Sequence, residues 1–288
     1  MKNTSRRKRP RPENTAKPNS MSSAKILYIC QEVTPYLPET PISKICRYLP
    51  QAMQERGNEI RVFMPRYGCI NERRNQLHEV IRLSGMNLII DDTDHQLIIK
   101  VASIPNARVQ VYFIDNEDFF QRKATVHDAD GKYFDDNDER AIFFARGVLE
   151  TVKKLRWAPD IVHCHGWFSA LAPVYLKKIF ASDPIFSKVR IVTTLYDNAF
   201  SGYLNKGLAD KLEEEGIKAD ELALIENPDY INLLRFALSY SDAAIAGSTE
   251  TAPELVEFIK EREMPLLEYQ DEGSYTEAYS DFYDKIYN

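Results

Sequence analysis

The sequence predicts an α/β protein with a Rossmann-like, doubly wound and mainly parallel sheet that carries one β-rich insertion. Apolar, β-branched runs at 25–30 (KILYIC) and 59–65 (EIRVFMP) flank a helical pattern, which is the order of a right-handed βαβ unit. Between 78 and 114, β-rich segments follow one another without a helical stretch, which indicates the insertion and a return to the sheet at VQVYFID. After 139, helical and strand patterns alternate again.

The first half of the chain contains two helical patterns. Apolar residues at helical spacing begin at Ile42, and Gly57 provides a natural end; Pro50 is expected to kink or restart this helix. A polar loop at 121–135 precedes a second helix at 139–155. That helix has Asp136 and Asp138 at its start, where negative charge is favoured.

The second half continues the alternation of strands and helices. Strands are predicted at 160–165, 189–195 and 243–247. The helices between and after them are a segment at 167–180 interrupted by Pro173, one or two exposed helices in 205–226, a helix at 230–240 and a last helix capped by Ser248. The acidic, tyrosine-rich residues from 265 onward are expected to wrap the surface.

Composition divides the chain into a basic tail (1–24), an α/β domain (25–264) and an acidic extension (265–288). The tail holds seven Lys and Arg against Glu13 and few apolar side chains, so we expect it to be disordered. It is either a tether for nucleic acid or another anionic surface, or a dispensable solvated extension. The overall net charge of −6 leaves the body acidic, which makes nucleic-acid binding an unfavoured function.

Neither a membrane span nor a secretory signal is predicted, so the expected location is the cytoplasm. No apolar run approaches the length that a spanning helix needs, and no apolar segment follows the basic N-terminus. The four cysteines form no C-x-x-C pair, which favours reduced core residues over disulfides or a zinc site.

In a parallel sheet, ligands bind where the strands end, which here selects the loops 31–42, 163–167 and 194–202. The first loop contains three prolines and no glycine. It therefore lacks the glycines that let backbone amides come close to a nucleotide phosphate. We therefore expect no nucleotide cofactor of the dinucleotide type, and no other cofactor is predicted.

The second loop holds two histidines, His163 and His165. They are two residues apart, so on a strand their side chains point to the same side. No further ligand lies nearby in the sequence, so no metal site is predicted. For His165, at the tip, the chemistry indicates a hydrogen bond to a polar ligand or proton transfer. For His163, we expect a half-buried ring packed on Trp167.

A set of motifs gives the chain a family resemblance over roughly residues 25–260. It is similar to the N-terminal lobe of bacterial starch/glycogen synthases in the runs EVTPYLPETPISKICRYLP, PRYG, VYFIDNEDFF, DNDERAIFFARGVLE, WAPDIVHCHGWFSALAPVYLK, TLYDNAFSG and INLLRFALSYSDAAIAGS. The resemblance implies a two-lobed GT-B glycosyltransferase fold in which this lobe binds an α-glucan (glycogen or starch). The other lobe would hold ADP-glucose, and glucose would be transferred with retention of configuration.

The resemblance also assigns roles to single residues. The family's D-N-x-x-R segment falls on Asp136, Asn137 and Arg140, and its H-x-H-D-W segment places His165 and Trp167, with Gly166 in place of the aspartate. It implies that Asp136 and His165 are catalytic. The residues expected to bind substrate are Asn137, Arg140, Trp167, Tyr196 and Asp197.

Two of the family's loops are altered in this chain. The family's lysine–threonine–glycine–glycine segment becomes Pro38, Glu39, Thr40 and Pro41, and Lys44 replaces an aspartate. Glu39 would repel a diphosphate about 4 Å away by roughly 1 to 4 kcal/mol. The family's T-x-H-N segment reads TLYD at 194–197, so Tyr196 replaces a histidine. These changes predict a degenerate donor site and make ADP-glucose binding doubtful.

Three functions follow as expectations. Only 26 residues follow Arg262, whereas a donor lobe would need about 150–200. The chain could be a glucosyltransferase that a separate protein chain completes. It could instead be a glucan-binding or regulatory relative that is inactive or weakly active alone. A third possibility is a scaffold with a vestigial pocket whose basic tail docks an anionic partner.

Overall fold

A ten-stranded sheet organises the described part of the chain, residues 23–287 of the computed structural model. Its order is β10-β9-β8-β7-β1-β2-β6-β5-β3, and β4 pairs with β5. The strands are β1 (Lys25–Cys30), β2 (Glu59–Pro65), β3 (His78–Glu79), β4 (Met86–Ile90), β5 (Thr93–Ser103), β6 (Gln110–Asp115), β7 (Ile161–His165), β8 (Arg190–Leu195), β9 (Ala243–Ala246) and β10 (Leu266–Leu267).

The pairing confirms the predicted fold class. Strands β10, β9, β8, β7, β1, β2 and β6 run parallel to one another. The insertion strands β3 and β4 pair antiparallel with β5, and β5 pairs antiparallel with β6. Strands β1 and β7 lie at the centre and are almost completely buried, which explains the continuous apolar run of β1; in β7 the apolar run is interrupted by His163 and His165, which are buried as well.

Helices cover both faces of this sheet. They are α1 (Pro41–Glu55), α2 (Glu117–Phe120), α3 (Asn137–Lys154), α4 (Ala172–Lys178), α5 (Leu208–Glu214), α6 (Tyr230–Ser239), α7 (Pro253–Glu261) and α8 (Tyr275–Tyr287). Right-handed crossovers run in opposite directions from the sheet centre, so α1 lies on one face and α4 and α6 lie on the other. Helix α8 contacts α1 and therefore shares its face.

Helix α1 differs from the prediction at Pro50. The helix runs without interruption from Pro41 to Glu55 and does not restart. Its start is secured by a capping box in which Thr40 accepts a hydrogen bond from the Ser43 amide and Ser43 accepts one from the Thr40 amide. The helix packs a buried apolar face against the sheet. The stability gained from this packing exceeds the loss of the one hydrogen bond that Pro50 cannot donate.

Two helix starts in the second half were wrongly predicted. Helix α7 begins at Pro253 and not at Ser248, whose hydroxyl instead accepts a hydrogen bond from the Glu250 amide in a turn. A proline favours the first helical turn, and it keeps the residue before it extended. Pro173 likewise lies in the first turn of α4 and does not interrupt a helix; a 3₁₀ turn at Trp167–Ser169 precedes it.

The segment predicted as exposed helices is less regular and less exposed. It forms α5 and two 3₁₀ turns, Ala219–Glu221 and Ala223–Ile225. Leu208, Leu212 and Ile225 are buried in it, because the segment packs its apolar side chains against the domain.

The C-terminal segment was also wrongly predicted as a surface wrap. Strand β10 extends the sheet, and α8 buries Tyr279, Phe282 and Tyr283 against it. The physical reason is the spacing of its aromatic residues, which places them on one face of a helix.

The basic tail predicted for residues 1–24 lies outside the described residues, apart from its last two. The Ser23 hydroxyl donates to the Gly57 carbonyl, and Ala24 is buried. The tail's disorder and the scaffold function that depends on it therefore stay predictions. Within residues 23–287, no helix combines the length and the apolar character that crossing a membrane requires.

Candidate functional site

The carboxyl ends of β1, β7, β8 and β9 bring the three predicted loops together. The central pair is His163 and His165, whose ring centroids are 3.8 Å apart on the face that α1 and α8 cover. Both rings are completely buried. A parallel register sets Tyr28 beside His163 and Thr194 beside His165, so the neighbouring strands supply the surrounding polar groups.

His163 is held by hydrogen bonds at both ring nitrogens. Its Nδ1 is 2.6 Å from the Tyr283 hydroxyl, and its Nε2 is 2.6 Å from the Thr194 hydroxyl. Tyr283 in turn donates to the Tyr28 hydroxyl at 3.3 Å. The prediction of a half-buried His163 ring packed on Trp167 is thus wrong. Helix α8 covers the ring completely, and its Tyr283 forms the hydrogen bond to Nδ1.

His165 has one protein partner and one free nitrogen among the described residues. Its Nδ1 is 2.7 Å from the Tyr196 hydroxyl, whereas its buried Nε2 has no hydrogen-bond partner there. Burial lowers the pKa of His165 to about 3, and burial together with His165 lowers the pKa of His163 well below its ordinary value. Both rings are therefore neutral at pH 7, and His165 lies beneath the surface instead of at an exposed tip.

Tyr196 is the residue that covers His165. It is 4% exposed, and its backbone carbonyl accepts a hydrogen bond from the Tyr230 hydroxyl at 2.6 Å. Its ring packs so closely on Gly247 that a Cβ there would lie 2.7 Å from the ring. A glycine after β9 therefore makes room for the tyrosine that closes this position.

Asp136 is engaged by an arginine that the sequence did not indicate. Arg122 forms a two-pronged ion pair with it, and Nη1 lies 2.7 Å from Oδ1. The hydrogen bond to Asp136 raises the pKa of Arg122 further. The carboxylate is 29% exposed, so it remains within reach of solvent.

Asn137 and Arg140 form a buried network that shapes the loop at 119–126. Arg140 donates to the carbonyls of Phe119 and Thr125 at 2.8 Å, and to Oδ1 of Asn137 at 2.7 Å. Asn137 donates to the Val126 carbonyl at 2.7 Å. Burial lowers the pKa of Arg140 to about 10. Through these hydrogen bonds the two side chains position the loop beside Asp136.

The loop predicted as a degenerate donor site forms the start of α1. The Thr40 hydroxyl donates to the Glu32 carboxylate at 2.6 Å, and the Pro38 carbonyl accepts from the Ser43 hydroxyl at 3.0 Å. Glu39 and Pro41 line an open cavity beside it. The amide and the hydroxyl of Thr40 thus already have hydrogen-bond partners within the protein, namely Ser43 and Glu32.

Gly166 stands where the resembled family has aspartate, and the Gln31 side chain fills the space beside it. The glycine's φ of 83° lies in the left-handed region, and a Cβ there would be 2.6 Å from the Gln31 Oε1 atom. That oxygen accepts a hydrogen bond from the Phe168 amide at 3.1 Å. Trp167 follows, buried against Phe200 with ring centroids 4.9 Å apart.

Asp197 lies on the rim of a cavity of about 400 Å³ that also meets Thr40, Pro41, Tyr196 and Gly247. The structure therefore brings together the first and third loops, but no recorded contact joins Asp136 to His165. Across residues 23–287, no three His, Cys, Asp or Glu side chains are grouped as a metal ion would require.

Sequence reasoning missed Gln31, Glu32, Arg122 and Tyr283. The first three carry no local signal, because their partners are distant in sequence or belong to irregular loops. Tyr283 could have been found, because Tyr275, Tyr279 and Tyr283 recur every four residues in the final segment.

Comparison with known proteins places this chain in a class of proteins, those related to starch and glycogen synthases. The family described as starch synthase catalytic domain matches residues 25–267, and the chain belongs to this family.

Relatives in this family include two proteins named glycogen synthase. The one from Chlorobium limicola is 36% identical over 233 residues, which is 81% of this chain and 47% of that protein. The one from Pelodictyon phaeoclathratiforme is 34% identical over 238 residues, 82% of this chain and 48% of that protein. The chain spans about half the length of these relatives.

A solved structure shares the fold. It is the catalytic domain of starch synthase IV from Arabidopsis thaliana bound to ADP and acarbose, with a TM-score of 0.69 and 18% identity. The similarity covers 87% of this chain and 52% of that one. It supports the GT-B assignment of the lobe.

Proposed function

We propose that this member of the starch synthase family binds α-glucan and, on its own, transfers glucose weakly or not at all. The observation that carries the proposal is the closure of His165 by Tyr196. A histidine that is to contact a transferred glucose must be reachable, and this ring is completely buried.

The electrostatics of the first loop support the same proposal. Transfer from a nucleotide sugar needs preorganised positive charge or amide donors around the leaving diphosphate. Glu39 and Glu32 place carboxylates there instead, and Thr40 is engaged by Glu32 and Ser43. The groups present are therefore better suited to hydroxyl groups than to phosphates.

Glucan binding is supported by what the cleft offers and by the relatives. The Arabidopsis structure carries acarbose in addition to ADP. In this chain, Asp197, Asn198 and Glu32 line the cavity at the strand ends with carboxylate and amide groups, which hydrogen-bond sugar hydroxyls well. We infer that the saccharide half of the family's function is kept and that the ADP-glucose half is weakened.

Two assays on the purified chain test the proposal. Co-sedimentation with glycogen measures binding, and incorporation of labelled glucose from ADP-glucose into glycogen measures transfer. We expect binding together with incorporation at least a hundredfold below that of the Chlorobium limicola glycogen synthase assayed in parallel. Incorporation comparable to that enzyme, or no retention on glycogen, would contradict the proposal.

A further inference from the structure

A second cleft opens between the start of α1 and the C-terminal segment. Its volume is about 500 Å³, within the range of about 300–1,000 Å³ usual for small-molecule sites. It shares Thr40, Pro41, Gly247 and Tyr269 with the cavity at Asp197. The two cavities therefore adjoin each other at these residues, and we call them together the tyrosine groove.

One wall of the tyrosine groove lies beyond the residues that match the family. The match ends at 267, whereas Tyr269, Gln270, Glu272 and Tyr275 line the groove. This wall therefore lies outside the part of the chain that the family match covers.

The wall is held at both ends. Strand β10 pairs with β9 just before it. Asp271 then accepts hydrogen bonds from the amides of Gly273 and Ser274 at 3.0 Å and starts α8, which is anchored by buried Tyr279. A segment fixed in this way presents its side chains without a large ordering cost on binding.

The groove displays partly exposed aromatic rings on both walls. Tyr48 of α1 is 47% exposed and Tyr269 is 43% exposed, and half-buried Tyr275 stands edge-on to Tyr279 at 6.0 Å. Tyrosine offers an apolar ring face with a hydroxyl at its edge. A pyranose has the matching pattern, with C–H groups on its faces and hydroxyls around its rim.

The charges of the groove exclude a strongly anionic ligand. Among the described residues that line both cavities, Lys44 is the single Lys or Arg, and it is paired with Glu272 across the two walls. Three further carboxylates line the same groove, those of Glu39, Asp197 and Glu32, and the Glu32 carboxylate accepts a hydrogen bond from the Thr40 hydroxyl. A diphosphate would meet net negative charge, whereas a neutral polyhydroxylated ligand would meet hydrogen-bonding groups.

We propose that the tyrosine groove is the binding site for an uncharged α-glucan chain, and that Tyr269 and Tyr48 stack on its sugar rings. This assignment rests on the proposed glucan binding and locates it. The C-terminal segment supplies a saccharide-binding wall next to the closed position at His165.

The test measures maltoheptaose binding by isothermal titration calorimetry for the full chain and for single variants. Tyr269→Ala and Tyr48→Ala should each weaken binding about tenfold, because each removes a stacked ring. Tyr269→Trp should restore affinity, because it keeps an aromatic face. The matched control is Tyr287→Ala, which removes an exposed tyrosine from the other end of α8. It should leave affinity unchanged.

The outcomes separate this inference from the proposed function. If glycogen and maltoheptaose bind equally to the wild type, Tyr269→Ala and Tyr48→Ala, the groove assignment is overturned and glucan binding stands. If the wild type binds neither saccharide, both proposals fail. If ADP displaces maltoheptaose through a site that depends on Tyr269, the groove takes an anionic ligand and the inference is wrong. Thermal denaturation of each variant checks that the fold is intact.

Discussion

At the scale of single residues, Tyr196 determines the state of His165. The resembled family has a histidine at this position. The tyrosine hydroxyl instead bonds Nδ1 of His165, and the tyrosine ring packs against Gly247. His165 therefore serves as a buried, neutral hydrogen-bonding group in this conformation. Its catalytic role stays a prediction.

The buried histidines predict how stability depends on pH. The pKa of His165 is about 3 in the folded chain, below its ordinary 6.5, so the unfolded chain binds a proton more readily below pH 6.5. The stability linked to this group is present above pH 6.5 and is lost as the pH falls toward 3. Between pH 7 and pH 5, the loss for His165 is about 2 kcal/mol. His163 contributes with the same sign.

Urea denaturation of the wild type and of His165→Gln at pH 7 and pH 5 measures this effect. The difference in unfolding free energy between the two pH values should be about 2 kcal/mol smaller in the variant. Val162→Ala, in the same strand, lowers stability without removing a titrating group, so it should keep the wild-type pH dependence. An unchanged pH dependence in His165→Gln would mean that this ring is not the group that resists protonation.

At the scale of elements, the junction after β7 shows how a change of one residue is accommodated. Gly166 turns the chain at φ 83° directly into the 3₁₀ turn at Trp167–Ser169, and Gln31 fills the space where a side chain would lie. Because the Gln31 Oε1 atom also accepts the Phe168 amide, the loops after β1 and β7 are joined through this side chain. The family's aspartate would not fit this junction without displacing Gln31.

Gly166→Ala should therefore destabilise the chain by about 2–4 kcal/mol, through backbone strain and the clash with Gln31 together. Gly202→Ala is the matched control, because its φ of 77° is similar but nothing lies within 4 Å of its Cβ position. Its free energy of unfolding should fall only by the cost of the backbone strain, about 1 kcal/mol. Chemical denaturation of both variants gives the comparison. Equal losses of stability in the two variants would show that the Gln31 side chain moves aside at no cost.

At the scale of the whole molecule, α8 supplies part of the outer layer on one face of the sheet. It lies beside α1 and buries Tyr279, Phe282 and Tyr283, and the Tyr283 hydroxyl reaches Tyr28 and His163 on the central strands. Without these side chains, the polar groups of β1 and β7 on this face would lose partners. We therefore expect α8 to unfold together with the sheet as one cooperative unit.

Phe282→Ala should lower the free energy of unfolding by about 3 kcal/mol, because it opens a cavity between α8 and the sheet. Asp281→Ala, its exposed neighbour on the same helix, should change it by less than about 0.5 kcal/mol. Far-ultraviolet and near-ultraviolet circular dichroism should report the same urea midpoint for each variant. A separate, earlier transition in the near-ultraviolet signal would show that α8 detaches before the sheet unfolds.

The sequence by itself determined the fold class, the insertion and the family, because these depend on periodic apolar patterns and on motifs that are local in the chain. β1 and β2 were predictable for this reason, since strands buried on both faces read as continuous apolar runs. So were the position of α3 beside Asp136 and the loops that meet at the strand ends.

The tertiary structure alone decided which of those loop residues are accessible. The closure of His165 by Tyr196, the ion pair of Arg122 with Asp136 and the fit of Gln31 to Gly166 each join positions that local patterns do not connect. The same holds for α8, whose aromatic spacing was visible but whose place against β1 and β7 was not. Long-range packing sets burial and hydrogen-bond partners, and these determine whether a motif residue meets a ligand or the protein's own side chains.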